Sequence, residues 1–334
     1  MSKHKFLLIA ALLIISTALI VRQRSVVDTT MSPQATSTKQ SFSLFSALHS
    51  KDEGLDTSFL MDDTEAIERQ KADQTPVAQP VDMISAEAYV VGNLETGEIY
   101  MNRQPAAVFP IASVSKLYTS LIARHVMDPD KPVEITQTAL DTYGDAGHLV
   151  VGEKFSPEEL LYPLVMESSN DAAEAFAESY GYQQFMIEMN AFAEEIGMAN
   201  TSFKDASGLN PGNVSSAKDL FAFAQYLYKY ERPLLAVTRT REYSLSTTTE
   251  HGSHRFLSIN PFTLNPYFMG GKTGRTNEAG ESMVSLFNFQ TNGKTYPIVI
   301  IVLRSRLSER EADTSRLLEK FMQSIGATNV MPVK

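Results

Sequence analysis

Hydrophobic and polar positions change their rhythm several times along the chain, and each change predicts a new element. Residues 6–21 form an apolar run behind Lys3, His4 and Lys5, with Arg22 and Arg24 following it. As a helix this run covers about 24 Å, a little short of a bilayer core, and the flanking basic side chains can reach out to the headgroups. Small residues suited to cleavage do not follow it, so residues 1–24 predict an uncleaved membrane anchor, with a cleaved signal segment as the alternative. From 25 to 83 Ser, Thr, Gln, Asp and Pro dominate. Such a stretch buries too little apolar surface to order itself and predicts a flexible linker, with at most transient helices at 41–48 and 63–71.

Beyond residue 83 the pattern tightens. The β-favouring runs 86–93 and 98–102 flank Leu94-Glu-Thr-Gly97 and predict a hairpin. Residues 111–127 carry apolar positions at helical spacing behind Pro110, which suits a first helical turn. Residues 135–151 are poorly periodic, with Asp141, Gly144, Asp145 and Gly147 marking turns. Ser156-Pro-Glu-Glu159 then has the form of a helix start, Ser at the cap and Glu three residues on. A helix to about Glu167, another from 171 to 180 and a third through Phe185, Met189, Phe192 and Ile196 to Gly197 follow. Ser216-Ala-Lys-Asp219 caps a further one. After Pro233 the pattern predicts strands at 242–247, 268–276, 281–288 and 296–303. The last of these is nearly all apolar, as a central strand covered on both faces must be. A helix over 310–325 closes the chain, so first and last strands can share one sheet with the helices inserted between them.

Three short runs carry candidate chemistry. In Ser113-Val-Ser-Lys116 a hydroxyl and an amine lie three residues apart on one helix face, within reach of each other. A serine needs a neighbour to take its proton, and a lysine serves only if burial lowers its pKa toward neutrality, which Val114, Leu117, Leu121 and Ile122 favour. Ser168-Ser-Asn170 falls between two predicted helices and reads equally as a cap and turn. Gly270-Gly-Lys-Thr-Gly274 puts glycines in a strand, where a ligand or another backbone must come close, beside a lysine and a threonine able to hold a carboxylate. By itself it also reads as a hairpin corner.

Composition narrows the field. The 334 residues are 43% hydrophobic, enough for one large domain or two small ones, and the net charge of −10 without a basic stripe argues against a nucleic-acid partner. The absence of cysteine excludes disulfides, thiolate metal sites and a cysteine nucleophile. His251-x-x-His254 lacks an evident third ligand and reads as part of a polar loop, so neither metal nor cofactor is predicted. A Gly-x-Ser-x-Gly elbow is also missing, which disfavours a Ser-His-Asp hydrolase.

Taken in order, Ser113-x-x-Lys116, Ser168-x-Asn170 and Lys272-Thr273-Gly274 are the motif set of penicillin-binding proteins and class A β-lactamases. With 86–102, Ser168-Ser-Asn-Asp-Ala-Ala173, Gly197-Met-Ala-Asn-Thr201, Ser207-Gly-Leu209, Ser215-Ser-Ala-Lys-Asp219 and Lys272 through Gly280, the chain resembles the low-molecular-mass D-alanyl-D-alanine carboxypeptidases over 84–328, the span expected for a catalytic domain. The resemblance implies an α+β fold of the β-lactamase/transpeptidase-like kind: an antiparallel sheet flanked by helices, an inserted all-helical subdomain and a cleft between them. It implies that Ser113 attacks the peptide carbonyl between two D-alanines, Lys116 is the leading candidate for general base, Ser168 relays a proton to the leaving group and Asn170 orients Lys116 and the substrate amide. Lys272 and Thr273, followed by Gly274 and Arg275, would bind the terminal carboxylate. The backbone N–H groups of Ser113 and Arg275 would form an oxyanion hole.

Peptidoglycan stem peptides are then the expected partners, β-lactams the acylating inhibitors, and the outer side of a membrane the expected location, reached through the amino-terminal helix. The alternatives are a D,D-endopeptidase or a β-lactamase using the same residues, and a catalytically silent D-Ala-D-Ala binder. No segment after the second motif clearly supplies the extra glutamate that class A β-lactamases use for fast deacylation. Three departures from the family stand out: Ser169 replaces the usual glycine of the second motif, Arg275 stands where an aromatic or histidine is common, and no second β-rich domain or amphipathic anchor follows the last helix. Relatives often use an arginine near the end of the last strand to hold the carboxylate, and Arg304 and Arg310 are both candidates for it.

Overall fold

A computed structural model describes residues 84–333, all within the unit that runs from Gln74 to Lys334. The expected anchor, the linker and its transient helices lie outside the described residues.

The chain enters through the predicted hairpin, β1 (Ala88–Asn93) and β2 (Ile99–Arg103), and a short β3 (Val108–Pro110). A 3-10 turn, Ala112–Val114, leads into α1 (Ser115–Val126). Next come β4 (Val133–Glu134), α2 (Gln137–Leu140) and β5 (Lys154–Phe155). The helices α3 (Pro157–Met166), α4 (Asn170–Tyr180) and α5 (Tyr182–Glu195) follow. Then β6 (Val214–Ser216), α6 (Ala217–Tyr230), α7 (Arg232–Arg239), β7 (Glu242–Leu245) and β8 (His254–Leu257) complete the insertion. The chain returns through β9 (Phe268–Thr276), β10 (Gly280–Thr291) and β11 (Lys294–Ser305), and ends in α8 (Arg310–Ser324) and β12 (Met331–Pro332).

Among the described residues the main sheet runs β12-β10-β11-β1-β2, with β9 also on the outer side of β10, and its pairings are antiparallel. Alternation along β11 explains why it is central. Val299, Ile301 and Leu303 face a core shared with the inserted helices, while Ile298, Ile300 and Val302 face Leu317, Leu318 and Phe321 of α8. Each such side chain removed from water contributes about 1.5–3 kcal/mol, so both faces are worth covering. This is the α+β sandwich expected from the sequence, with the helices between β3 and β9 forming one flank.

Two local expectations fail for identifiable reasons. The helix predicted from residue 111 starts only at Ser115, because Pro110 pairs with Val214 in the β3–β6 ladder and the Ile111 N–H donates to the Asn213 carbonyl. Ala112 then takes a left-handed φ of 48°, a conformation no α-helix accepts, so Ser113 sits in a tight turn ahead of the helix. After Pro233 the chain does not go straight into strands. Leu234, Leu235, Val237 and Thr238 face inward from α7, a two-turn helix too short for its periodicity to stand out in the sequence.

Candidate active site

The turn and α1 put Ser113 and Lys116 in contact, as the spacing predicts. Lys116 is fully buried, and its Nζ lies 2.9 Å from Ser113 Oγ, 2.7 Å from Asn170 Oδ1 and 2.5 Å from the Ser207 carbonyl oxygen. Two of these partners are carbonyls, which can only accept. A neutral amine has two N–H groups and one lone pair, so donating to both carbonyls leaves the lone pair facing the serine hydroxyl. Burial pulls the Lys116 pKa down to about 7, against the opposing charges of Asp205, Glu174 and Asp171. The unprotonated form is therefore well populated near neutrality, and it is the form that can take a proton from Ser113.

The second run bends sharply between α3 and α4. The Ser169 N–H donates to the Pro163 carbonyl, and Ser168 adopts φ 65°. The Ser169 hydroxyl caps α4 by accepting from the Ala172 N–H at 3.1 Å, which gives the serine in place of glycine a structural use. Asn170, first residue of that helix, offers Oδ1 to Lys116 while its Nδ2 donates to the Tyr143 carbonyl at 2.5 Å. One amide side chain thus fixes both the amine and the loop that roofs it.

The third run forms the far wall. Lys272 is buried, and its Nζ donates to Ser168 Oγ at 2.9 Å and to the Thr273 carbonyl at 3.0 Å. Burial first, then the charges of Lys116 and Arg310, push its pKa well below the usual lysine value. Gly274 is required by contact: a Cβ there would lie 2.7 Å from the Ile111 carbonyl oxygen and 3.1 Å from the Ser113 nitrogen. The strand can therefore press against the turn that carries Ser113, bringing the Gly274 backbone beside the Ser113 N–H.

The arginines separate. Arg310, its side chain 17% exposed, donates to the Gly274 carbonyl at 3.2 Å and faces the site. Arg304 instead pairs with Glu87 at 3.1 Å. The Arg275 side chain is 64% exposed and stands 3.9 Å from the buried Glu281. The histidines lie elsewhere and contradict the polar-loop expectation. His254 contacts Glu153 at 3.0 Å, His251 contacts the Gly252 carbonyl at 2.7 Å, and both rings pack on Phe155. Sequence reasoning did not find the Tyr143 and Ser207 carbonyls, since a backbone acceptor carries no residue signature. The family-like run Ser207-Gly-Leu209 and the Asp205-x-x-Gly208 spacing, typical of a side chain closing its own turn, mark the second segment without giving its carbonyl a role.

A profile of the D-alanyl-D-alanine carboxypeptidase family matches residues 73–306. The chain belongs to that family. Among family relatives it is 29% identical over 242 residues to a D-alanyl-D-alanine carboxypeptidase of Bacillus subtilis, covering 70% of this chain and 61% of the Bacillus protein. A D-alanyl-D-alanine endopeptidase of Escherichia coli is 32% identical over 237 residues, covering 69% of this chain and 74% of its own. The crystal structure of a Streptomyces DD-transpeptidase superposes with a TM-score of 0.64 at 27% identity, covering 73% of this chain and 98% of the other. The family fold is therefore the penicillin-binding one, and the chain falls in the serine-type hydrolase class of its relatives.

Proposed function

We propose that the chain is a serine D-alanyl-D-alanine carboxypeptidase that removes the terminal D-alanine of peptidoglycan stem peptides through an acyl-enzyme on Ser113. The observation that carries this reading is the buried Lys116 amine, whose two carbonyl partners leave its lone pair for Ser113. Lys116 takes the hydroxyl proton as Ser113 Oγ attacks the carbonyl between the two D-alanines. Negative charge on that oxygen is met by the N–H groups of Ser113 and Arg275, whose strand and turn are pressed together at Gly274. Ser168, hydrogen-bonded to Lys272, passes a proton to the departing D-alanine nitrogen. Lys272, Thr273 and Arg310 hold the terminal carboxylate, Arg310 being favoured over Arg304 by its bond to Gly274. Water then releases the acyl group.

The same site accepts β-lactams as acylating inhibitors, since they present a strained amide beside a carboxylate. A second reading, cleavage of D-alanyl cross-links by the same residues, is favoured by the likeness to the Escherichia coli endopeptidase. Peptidoglycan lies outside the cytoplasmic membrane, so the catalytic domain, 84–328, would work there on a tether made of the linker 25–83 and the apolar run 6–21. No helix among the described residues is long and apolar enough to cross a membrane.

D-alanine release from a stem pentapeptide ending in D-Ala-D-Ala, with Ser113→Ala as control, tests the reading. Release by the parent that vanishes in the control is expected. A parent that leaves the pentapeptide intact but splits cross-linked muropeptides would move the assignment to the endopeptidase, and equal release by the control would end it.

A further inference from the structure

The segment 205–208 carries none of the three motifs, yet each of its residues bears on the element that holds Ser113 and Lys116. The Ala206 carbonyl accepts from Thr119 Oγ1 at 2.6 Å, and the Ser207 carbonyl accepts from Lys116 Nζ. Gly208, at φ 85°, lies so close that a Cβ there would stand 2.1 Å from the Ala112 carbonyl oxygen. Ala112 is the left-handed residue immediately before Ser113. This turn therefore braces nucleophile and base together.

Asp205 closes the turn. Its carboxylate accepts from the Gly208 N–H at 2.6 Å, the Asn210 N–H at 2.5 Å and Asn213 Nδ2 at 3.0 Å. Asn213 Nδ2 also donates to Ser115 Oγ at 3.1 Å, which in turn donates to the Ala112 carbonyl. The carboxylate is thus tied through one amide side chain to the first residue of α1 and, through it, to the turn of Ser113.

We propose that Asp205 is the positioning residue of the proposed base: it folds the 205–210 turn so that the Ser207 carbonyl holds Lys116 against Ser113. The charge of the carboxylate also favours the protonated amine. The inference rests on the serine-peptidase reading and deepens it. The charged groups facing Lys116 are Asp171 and Glu174 from α4, Asp205 from the turn and Lys272 from β9. Of the three acids Asp205 acts most strongly on the amine. Burial pushes Asp171 and Glu174 themselves up to about 6.

The test is the second-order rate of acylation by a fluorescent penicillin as a function of pH, for the full chain, Asp205→Asn and Asp205→Ala. Acylation by the parent secures the underlying reading first; a parent that never acylates refutes that reading, and the inference with it. Asparagine keeps an oxygen for the Gly208 N–H and Asn213 Nδ2, gives up only the bond from the exposed Asn210 N–H and carries no charge, so the acid limb of its profile moves down by about one pH unit while the plateau stays within about threefold of the parent. Alanine opens the turn, and its plateau falls by about thirtyfold or more, the loss expected when a base is misplaced by a fraction of an ångström. An Asp205→Asn limb that coincides with the parent's overturns the proposal, whether or not the alanine variant folds. So does an asparagine plateau as low as alanine's, because the turn would then not be what Asp205 supplies.

Discussion

Lys116 is where the chemistry and the stability of the chain oppose each other. Holding its pKa near 7 instead of the usual 10.5 costs about 4 kcal/mol at pH 7, where the unfolded chain binds a proton that the folded one has half given up. Lys116→Met removes that cost but leaves the Asn170 and Ser207 carbonyls without their donor, which returns part of it. Urea unfolding at pH 7 is expected to find the methionine variant more stable by about 1–3 kcal/mol, with penicillin acylation lost. The sign with pH follows from the lowered folded value. Between 7 and 10.5 the unfolded lysine keeps a proton that the folded one has lost, so the parent gains stability as pH rises and the variant's advantage shrinks. A methionine variant less stable than the parent at every pH would mean that Lys116 is held charged. Arg275 and Ser169, the two substitutions among the departures from the family pattern, divide at this scale: Ser169 has a capping bond, whereas the Arg275 side chain stays mostly in solvent.

Among the elements, those with strong local signals were legible in the sequence. The Ser156–Glu159 capping box forms as expected, with the glutamate returning its bond to the Ser156 N–H at 2.9 Å. β11 is central because its apolar residues alternate between two cores, which its unbroken hydrophobicity announced. What was illegible depended on partners distant in sequence. The pairing of Pro110 with Val214 delays α1, and nothing near residue 110 encodes it. The motif residues themselves were legible because their chemistry demands particular side chains, while the Tyr143 and Ser207 acceptors are backbone atoms delivered by folding. Ser169→Ala tests the value of one such local signal. Loss of the cap on α4 is expected to lower stability by about 1 kcal/mol in urea unfolding. It should also slow acylation, since Asn170 is the first residue of that helix. An unchanged midpoint and rate would assign the cap no role.

At the scale of the whole molecule the site lies where three separately built pieces meet: the turn before α1, the bend between α3 and α4, and the strand β9. The sheet supplies β9, the inserted helices supply the other two, and Gly274 lets strand and turn touch. The tether proposed for residues 6–21 adds a prediction at this scale. The full chain is expected to stay with the membrane fraction through a high-salt wash and to be released by detergent; release by salt alone would contradict an anchored helix. The central claim remains that Ser113 is the nucleophile. It is tested most directly by trapping the protein with penicillin, digesting it and finding by mass spectrometry which residue carries the acyl group. The account predicts the adduct on Ser113 and none in Ser113→Ala. An adduct on any other residue, Ser115 and Ser168 included, would contradict it.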